Sequence, residues 1–269
     1  MLIWVAALHC EAKPVIDYFR LKKSHAHHAF DLYQLDNMLC VITGIGKIPA
    51  AAATAWVAAL HQQSRSIAWI NIGTAGSESH PVGSVYWINK ITDVDSNRRF
   101  YPVPIIDSDM PAQHCLTHNQ PNTRYHPQHL FDMEASAFFD TATRFSSGEL
   151  VHCLKIISDN EQNAIDKDKY RVSQLIQQNM PSIAQFAQAL EQVNQWVAQV
   201  EIAEPDWQRF LTLAHFSQTQ TTQLKNSLRF LLSQNNSVES LMKQTSDLDS
   251  SQLILARLEQ MCIHSSRNL

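Results

Sequence analysis

Three acidic residues stand at places where a side chain can face a cleft: Glu11 after LIWVAALHC and Asp159 in IISDN, where short apolar runs give way to polar chain, and Glu134 in DMEASA, at the start of a helical pattern. Two glycine turns fall at comparable places, Thr43-Gly44-Ile45-Gly46-Lys47 and Gly73-Thr74-Ala75-Gly76. Carboxylates give and take protons and accept hydrogen bonds from hydroxyls, and glycine lets a backbone approach a ligand closely. Taken singly, each has an ordinary explanation. A glutamate just after a strand is a solvated loop residue, an aspartate there caps the next turn, and a glutamate in a first helical turn answers the helix dipole. Their joint occurrence is what points to a site. The turn at Gly44 lacks the third glycine of a dinucleotide fingerprint and has no Ser or Thr after Lys47, so neither a Rossmann nor a P-loop reading is supported.

The elements that must position these groups alternate along the first two hundred residues. Apolar runs at 2–8, 38–43, 67–72, 84–91, a weaker 113–118 and 151–157 read as strands. Residues 48–61, rich in alanine, and 133–145, with Ala135, Phe138, Phe139, Ala142 and Phe145 near helical spacing, read as helices packed on them. After Asp168 the pattern is helical, with Pro181 expected to break it and Ile183, Phe186, Ala187, Leu190 and Val193 continuing one apolar stripe. This is an α/β chain with a mixed central sheet flanked by helices. In such sheets ligands bind beyond the carboxyl ends of the strands, where strand one is expected to end at Glu11, strand three at Gly73 and the last at Ser158-Asp159-Asn160. Three carboxylates and two glycine turns then share one crevice.

All six glycines lie between Gly44 and Gly148, and none follows. The expected division is a 1–200 α/β domain and a 201–269 helical C-terminal extension, joined by a linker at 201–205. The extension reads as three or four short amphipathic helices, with Asp206 as cap of the first and Asn236 or Ser237 as cap of a later one bearing Leu241 on its apolar side.

Over 269 residues the net charge is -4, with 45% hydrophobic and 17% charged residues, which gives no basic surface for nucleic acid and makes a small molecule the expected partner. The opening MLIWVAALHC is too short for a membrane span or a signal-peptide core, so a buried first strand and no membrane association are expected. Five scattered cysteines without CxxC argue against a disulfide framework and a zinc knuckle, and place the protein in a reducing cytoplasm. His25, His27 and His28, and more loosely His114, His118, His126 and His129, lack carboxylate or cysteine partners at ligand spacing, so neither metal nor cofactor is expected.

TGIGKIPAAAAT (residues 43–54), NIGTAG (71–76) followed by VGSV (82–85), DMEASA (132–137) and IISDN (156–160) resemble, in order, the signature segments of the nucleoside phosphorylase family. With AALHCEAKP at the start, the sequence looks most like 5′-methylthioadenosine/S-adenosylhomocysteine nucleosidases over residues 1–195. The resemblance implies that the chain cleaves the N-glycosidic bond of a purine-type, 5′-modified or unmodified, nucleoside. It casts Asp159 as the acid that protonates N7 of the base and Glu11 as the base that activates water. Glu134 would bind the ribose hydroxyls and Met133 would lie against the sugar, with Thr74, Ala75, Gly76, Ser158 and Asn160 completing the substrate site. It also implies a homodimer, and a basic residue near the catalytic glutamate at Lys155.

A phosphorylase needs arginines on its phosphate, and the loop after strand one carries Glu11 and none before Arg20. Phosphorolysis, with Arg98 and Arg99 supplying charge, is the alternative. The segment between Gly76 and Met133 is shorter than the family's, leaving Phe100, Tyr101, Tyr125 and Phe131 as aromatics available to stack on a base. That shortening and the helical tail motivate a third reading, a nucleoside-binding sensor or scaffold with little catalysis.

Overall fold

The computed structural model describes residues 1–26, 29–61, 66–121, 128–163 and 168–266; His27, His28, Tyr125 and His126 lie outside the described residues. Contacts divide the chain into one unit over Met1–Gln62 and Ile67–Asn194 and a second that includes Gln195–Leu269.

The first unit is a mixed sheet with helices. β1 (Leu2–Ala6) lies between β4 (Met38–Ile42) and β5 (Ala68–Ser77), parallel to both. Such a strand is covered on both faces, which is why all five β1 residues are apolar and buried. An antiparallel edge follows from β4 through β3 (Asp31–Leu35) to β2 (Lys22–Lys23). On the other side β5 pairs in parallel with β10 (Val151–Asp159) and, at Gly76 and Ser77, antiparallel with the short β9 (Leu130–Asp132). β6 (Val85–Asp93) joins β10 to β8 (Ala112–Thr117), and β8 joins β9, so five strands close into a ring; β7 (Arg99–Phe100) adds to β6.

Two helices flank the site. α2 (Lys47–Leu60) packs Ala50, Ala53 and Val57 inward, small side chains that let it approach α3 (Ala135–Ala142), which buries Phe138 and Phe139. The expected helix over 133–145 is therefore shorter, starting after Glu134. α1 (His9–Tyr18) was not expected as a helix. Its interior Pro14 cannot donate to the Cys10 carbonyl. That carbonyl instead accepts the Ser173 hydroxyl at 2.6 Å, which satisfies the group proline leaves open.

Pro181 does not break the last long helix: α4 runs through it from Lys169 to Val200. Buried Ile176 and Met180 before the proline, and Ile183, Phe186 and Leu190 after it, anchor both halves of one stripe, and this packing outweighs one missing backbone bond.

The second unit has its own apolar core of Phe210, Leu224, Leu228, Leu231, Leu241, Ile254 and Leu258. It is contributed by α5 (Glu204–Leu211), α6 (Gln218–Ser233), α7 (Val238–Thr245) and α8 (Ser251–Ser266). Asp206 lies inside the first turn of α5, after Ala203 at the cap and Pro205, and so does not cap it. Ser237 caps α7 by accepting the Ser240 N–H, while Asn236 donates back to Leu231 at the end of α6. No described helix is long and apolar enough to cross a membrane.

Candidate active site

The expected end of strand one at Glu11 is displaced: β1 ends at Ala6, the chain turns through Ala7 and Leu8, and Glu11 is the third residue of α1. There it is almost wholly buried, and its carboxylate is held from two sides. Oε2 accepts the Leu8 N–H at 3.0 Å, and Oε1 accepts the Thr74 N–H at 2.8 Å and the Thr74 hydroxyl at 2.9 Å. Gly73 makes this approach possible. A Cβ there would sit 3.1 Å from Glu11 Oε1. The expected strand over 67–72 thus continues as β5 through Thr74, Ala75 and Gly76, because β10 and β9 extend its ladder.

Glu134 stands at the start of α3, and its Oε1 accepts the Gly46 N–H at 2.8 Å. Gly44 and Gly46 have φ of 89° and 105°, values that L side chains rarely adopt, and this conformation aims the Gly46 amide at Glu134. Burial pushes the Glu134 carboxyl up to about 7; Lys155 opposes this, while Asp132 and Glu11 add to it.

Lys155, in the middle of β10, points inward to an ion pair with Asp132 at 2.8 Å, both side chains essentially without solvent exposure. Burial raises the Asp132 carboxyl, but Lys155, the Thr117 hydroxyl and the Ala135 amide outweigh it and hold the group below its ordinary value. Asp132 therefore fixes the start of α3: Oδ2 accepts the Ala135 N–H at 2.7 Å and the Glu134 N–H at 3.3 Å, and Oδ1 accepts the Thr117 hydroxyl at 2.7 Å.

On β10 the register slips between Ile157 and Asp159 against Ala75 and Gly76, making Ser158 the extra residue of a bulge. Bulges re-aim side chains next to binding sites, and here both Ser158 and Asp159 turn to the crevice. The Ser158 hydroxyl donates to Asp159 Oδ1 at 2.5 Å.

A cavity of about 240 Å³ is bordered by Glu11, Thr74, Ala75, Gly76, Met133, Glu134, Ser158 and Asp159. Asn160 is not on its lining. Its Oδ1 accepts from the Gln162 and Asn163 amides and its Nδ2 donates to the His80 carbonyl, so it closes a turn. The sequence reading missed Ala7, Leu8, Ile45 and Pro121 as lining residues; of the three described aromatics, Phe100, Tyr101 and Phe131, only Phe131 lines the cavity. Phe100 instead packs on Phe139 at 5.8 Å with Arg98 over its ring, and Tyr101 is exposed. The apolar face of Ile45 between two glycines was the one signal available for that residue.

No protein-family model and no curated protein matches the sequence. Solved structures do match. A 5′-methylthioadenosine nucleosidase of Arabidopsis thaliana in its apo form aligns with a TM-score of 0.56 and 16% identity over 70% of this chain and 95% of that one. The 5′-methylthioadenosine/S-adenosylhomocysteine nucleosidase of Neisseria meningitidis in complex with methylthio-immucillin-A gives 0.54 and 18% over 68% and 97%. That of Colwellia psychrerythraea in complex with adenine gives 0.53 and 16% over 70% and 93%. The fold of this chain is that of the nucleoside phosphorylases and nucleosidases.

Proposed function

We propose that this chain hydrolyses the N-glycosidic bond of a purine-type nucleoside. The observation that carries the reading is the convergence of the Glu11, Glu134 and Asp159 carboxyls, from α1, the start of α3 and the end of β10, on one cavity with an otherwise largely apolar lining. Asp159 passes a proton to N7 of the base as the C1′–N9 bond breaks, and the bond pair leaves with a neutral base. Water adds to C1′ from the opposite face and gives its proton to Glu11, as the base carboxylate does in inverting glycoside hydrolysis. Glu134 accepts the ribose 2′ and 3′ hydroxyls, and Met133 supplies a polarizable wall for the sugar. The negative charge of the site favours the oxocarbenium-like transition state.

Hydrolysis is favoured over phosphorolysis because no arginine or lysine lies among the described lining residues. Arg98 is instead held by Asp140 on α3 at 2.7 and 2.9 Å. Purified protein incubated with purine nucleosides, plain and 5′-modified, with and without phosphate, tests this by release of free base. Release without phosphate is expected. Release only with phosphate would establish a phosphorylase, and none across the panel would favour the sensor.

Since Glu134 must be ionised to accept two hydroxyls, kcat/KM is expected to rise with pH through about 7. The stability linkage has the opposite slope. A carboxyl raised in the folded state favours folding less as pH climbs from its unfolded value toward about 7, so Glu134→Gln should gain thermal stability relative to wild type between pH 5 and 8. A pH-independent kcat/KM over that range would remove Glu134 from the substrate site.

The same reading includes a homodimer. Beyond Lys47, α2 carries no charged residue, and its outward Ile48 is 84% and Leu60 40% exposed. Light scattering is expected to give twice the chain mass of 30.6 kDa, and a value equal to one chain at micromolar concentration would contradict it.

A further inference from the structure

Lys47 occupies the first position of α2, where the positive end of the helix dipole makes a cation unwelcome. Two carboxylates meet it: Asp93 Oδ2 at 2.6 Å and Asp95 Oδ2 at 2.5 Å. Asp93, the last residue of β6, is itself buried and fully engaged. Its Oδ1 accepts the Ser96 amide at 2.8 Å and hydroxyl at 2.7 Å, and its Oδ2 accepts the Ser136 hydroxyl at 2.9 Å. Ser136 is the second residue of α3, and its amide donates in turn to Thr117 Oγ1, the hydroxyl that donates to Asp132. One carboxylate therefore ties the start of α2 to the start of α3. Between those two starts runs the bond from the Gly46 N–H to Glu134.

We infer that Lys47 and Asp93 are a positioning pair, whose ion pair holds the Gly46 N–H on the Glu134 carboxylate and so orients the group that binds the ribose hydroxyls. Neither residue lines the cavity. They act through the amide next to Lys47 on one side and through the Ser136 hydroxyl on the other. The inference deepens the proposed reading, in which Glu134 is a substrate-binding group. Glu134 also faces Glu11 on α1, Asp132 on β9, and Lys155 and Asp159 on β10, none of which changes in the variants below.

The test reads Glu134 directly. In protein labelled with ¹³C at glutamate carboxyls, the Glu134 signal, assigned by its loss in Glu134→Gln, is titrated from pH 5 to 9 together with the Gly46 amide proton. Wild type is expected to show a midpoint near 7, with the amide following it. Lys47→Met is expected to raise the midpoint by about half a unit or more and to uncouple the amide, because a lost hydrogen bond to the charged form favours the neutral one. Lys47→Met with Asp93→Asn removes both charges at once, leaves no unpaired buried carboxylate, and is expected to do the same; Lys47→Arg is expected to restore both signals. With a nucleoside that turns over, KM should rise about tenfold in the first two variants with a smaller change in kcat. Unchanged midpoint and amide coupling in the single or the double variant would overturn the inference and leave the pair a fold contact. Absence of turnover in wild type would instead count against the proposed hydrolysis, and the titration would still decide the pair.

Discussion

Replacing Asp159 with asparagine is expected to lower the rate of base release by about 10²–10⁴ while nucleoside binding survives. The side chains have the same shape, and the amide oxygen of asparagine can take over the bond that Asp159 Oδ1 accepts from the Ser158 hydroxyl. The bulge and the β5–β10 ladder that aim this side chain do not depend on its charge. What disappears is the proton for the leaving base. Without it the base must depart as an anion, and the cost falls on the transition state and hardly on the ground state, so kcat drops and the dissociation constant does not. Calorimetric binding together with chromatographic turnover separates the two, and turnover equal to wild type would sink the assignment of Asp159.

The second large effect is expected at Glu11, where glutamine should lose a similar factor of about 10²–10⁴ in rate and also weaken the fold. Unlike Asp159, the Glu11 carboxylate is an acceptor for three donors, the Leu8 amide and the Thr74 amide and hydroxyl, on both of its oxygens. Glutamine has one acceptor oxygen. Its NH₂ must face either Leu8 or Thr74, which leaves a buried donor unpaired at about 1–3 kcal/mol. At about 2–4 °C per kcal/mol in a unit of this size, the melting temperature should fall measurably. A variant that lost stability and kept full turnover would show that Glu11 is a helix-start clamp and not the group that activates water.

The six strand runs read from the sequence are all present, because buried strands carry their own signal in continuous apolar residues. Glu11 and Asp159 were legible for the same reason, as the first carboxylates after two of those runs, and Glu134 as an acid at the start of a helical pattern. Their geometry was less so. Glu11 looks like the end of a strand because HCEAKP has too few residues before Pro14 to display a helical period. The helix accommodates that proline because Ser173, more than 150 positions along the chain, donates its hydroxyl to the carbonyl that proline abandons. β9, three residues long, has no period of its own and exists through pairing with β5 and β8. Asn160 follows a motif residue and shares its neighbourhood, yet its side chain is committed to a turn. The Lys155–Asp132 pair joins positions 23 apart in sequence through the ring of strands, and no local spacing announces it.

The closed ring of strands has a consequence for the order in which the molecule assembles. Before β10 is available, β5 and β6 each offer an unpaired edge, and β10 is the strand that satisfies both. During synthesis those edges are presented to the ribosome's surroundings while more than half of the first unit is already made. Such long-range pairing is slow to find and open to intermolecular pairing in the meantime. Asp159 sits at the far end of that closing strand, so the nascent chain acquires its acid only when its exposed edges vanish. Chains ending before residue 151 are expected to be both inert and prone to aggregate, for one topological reason.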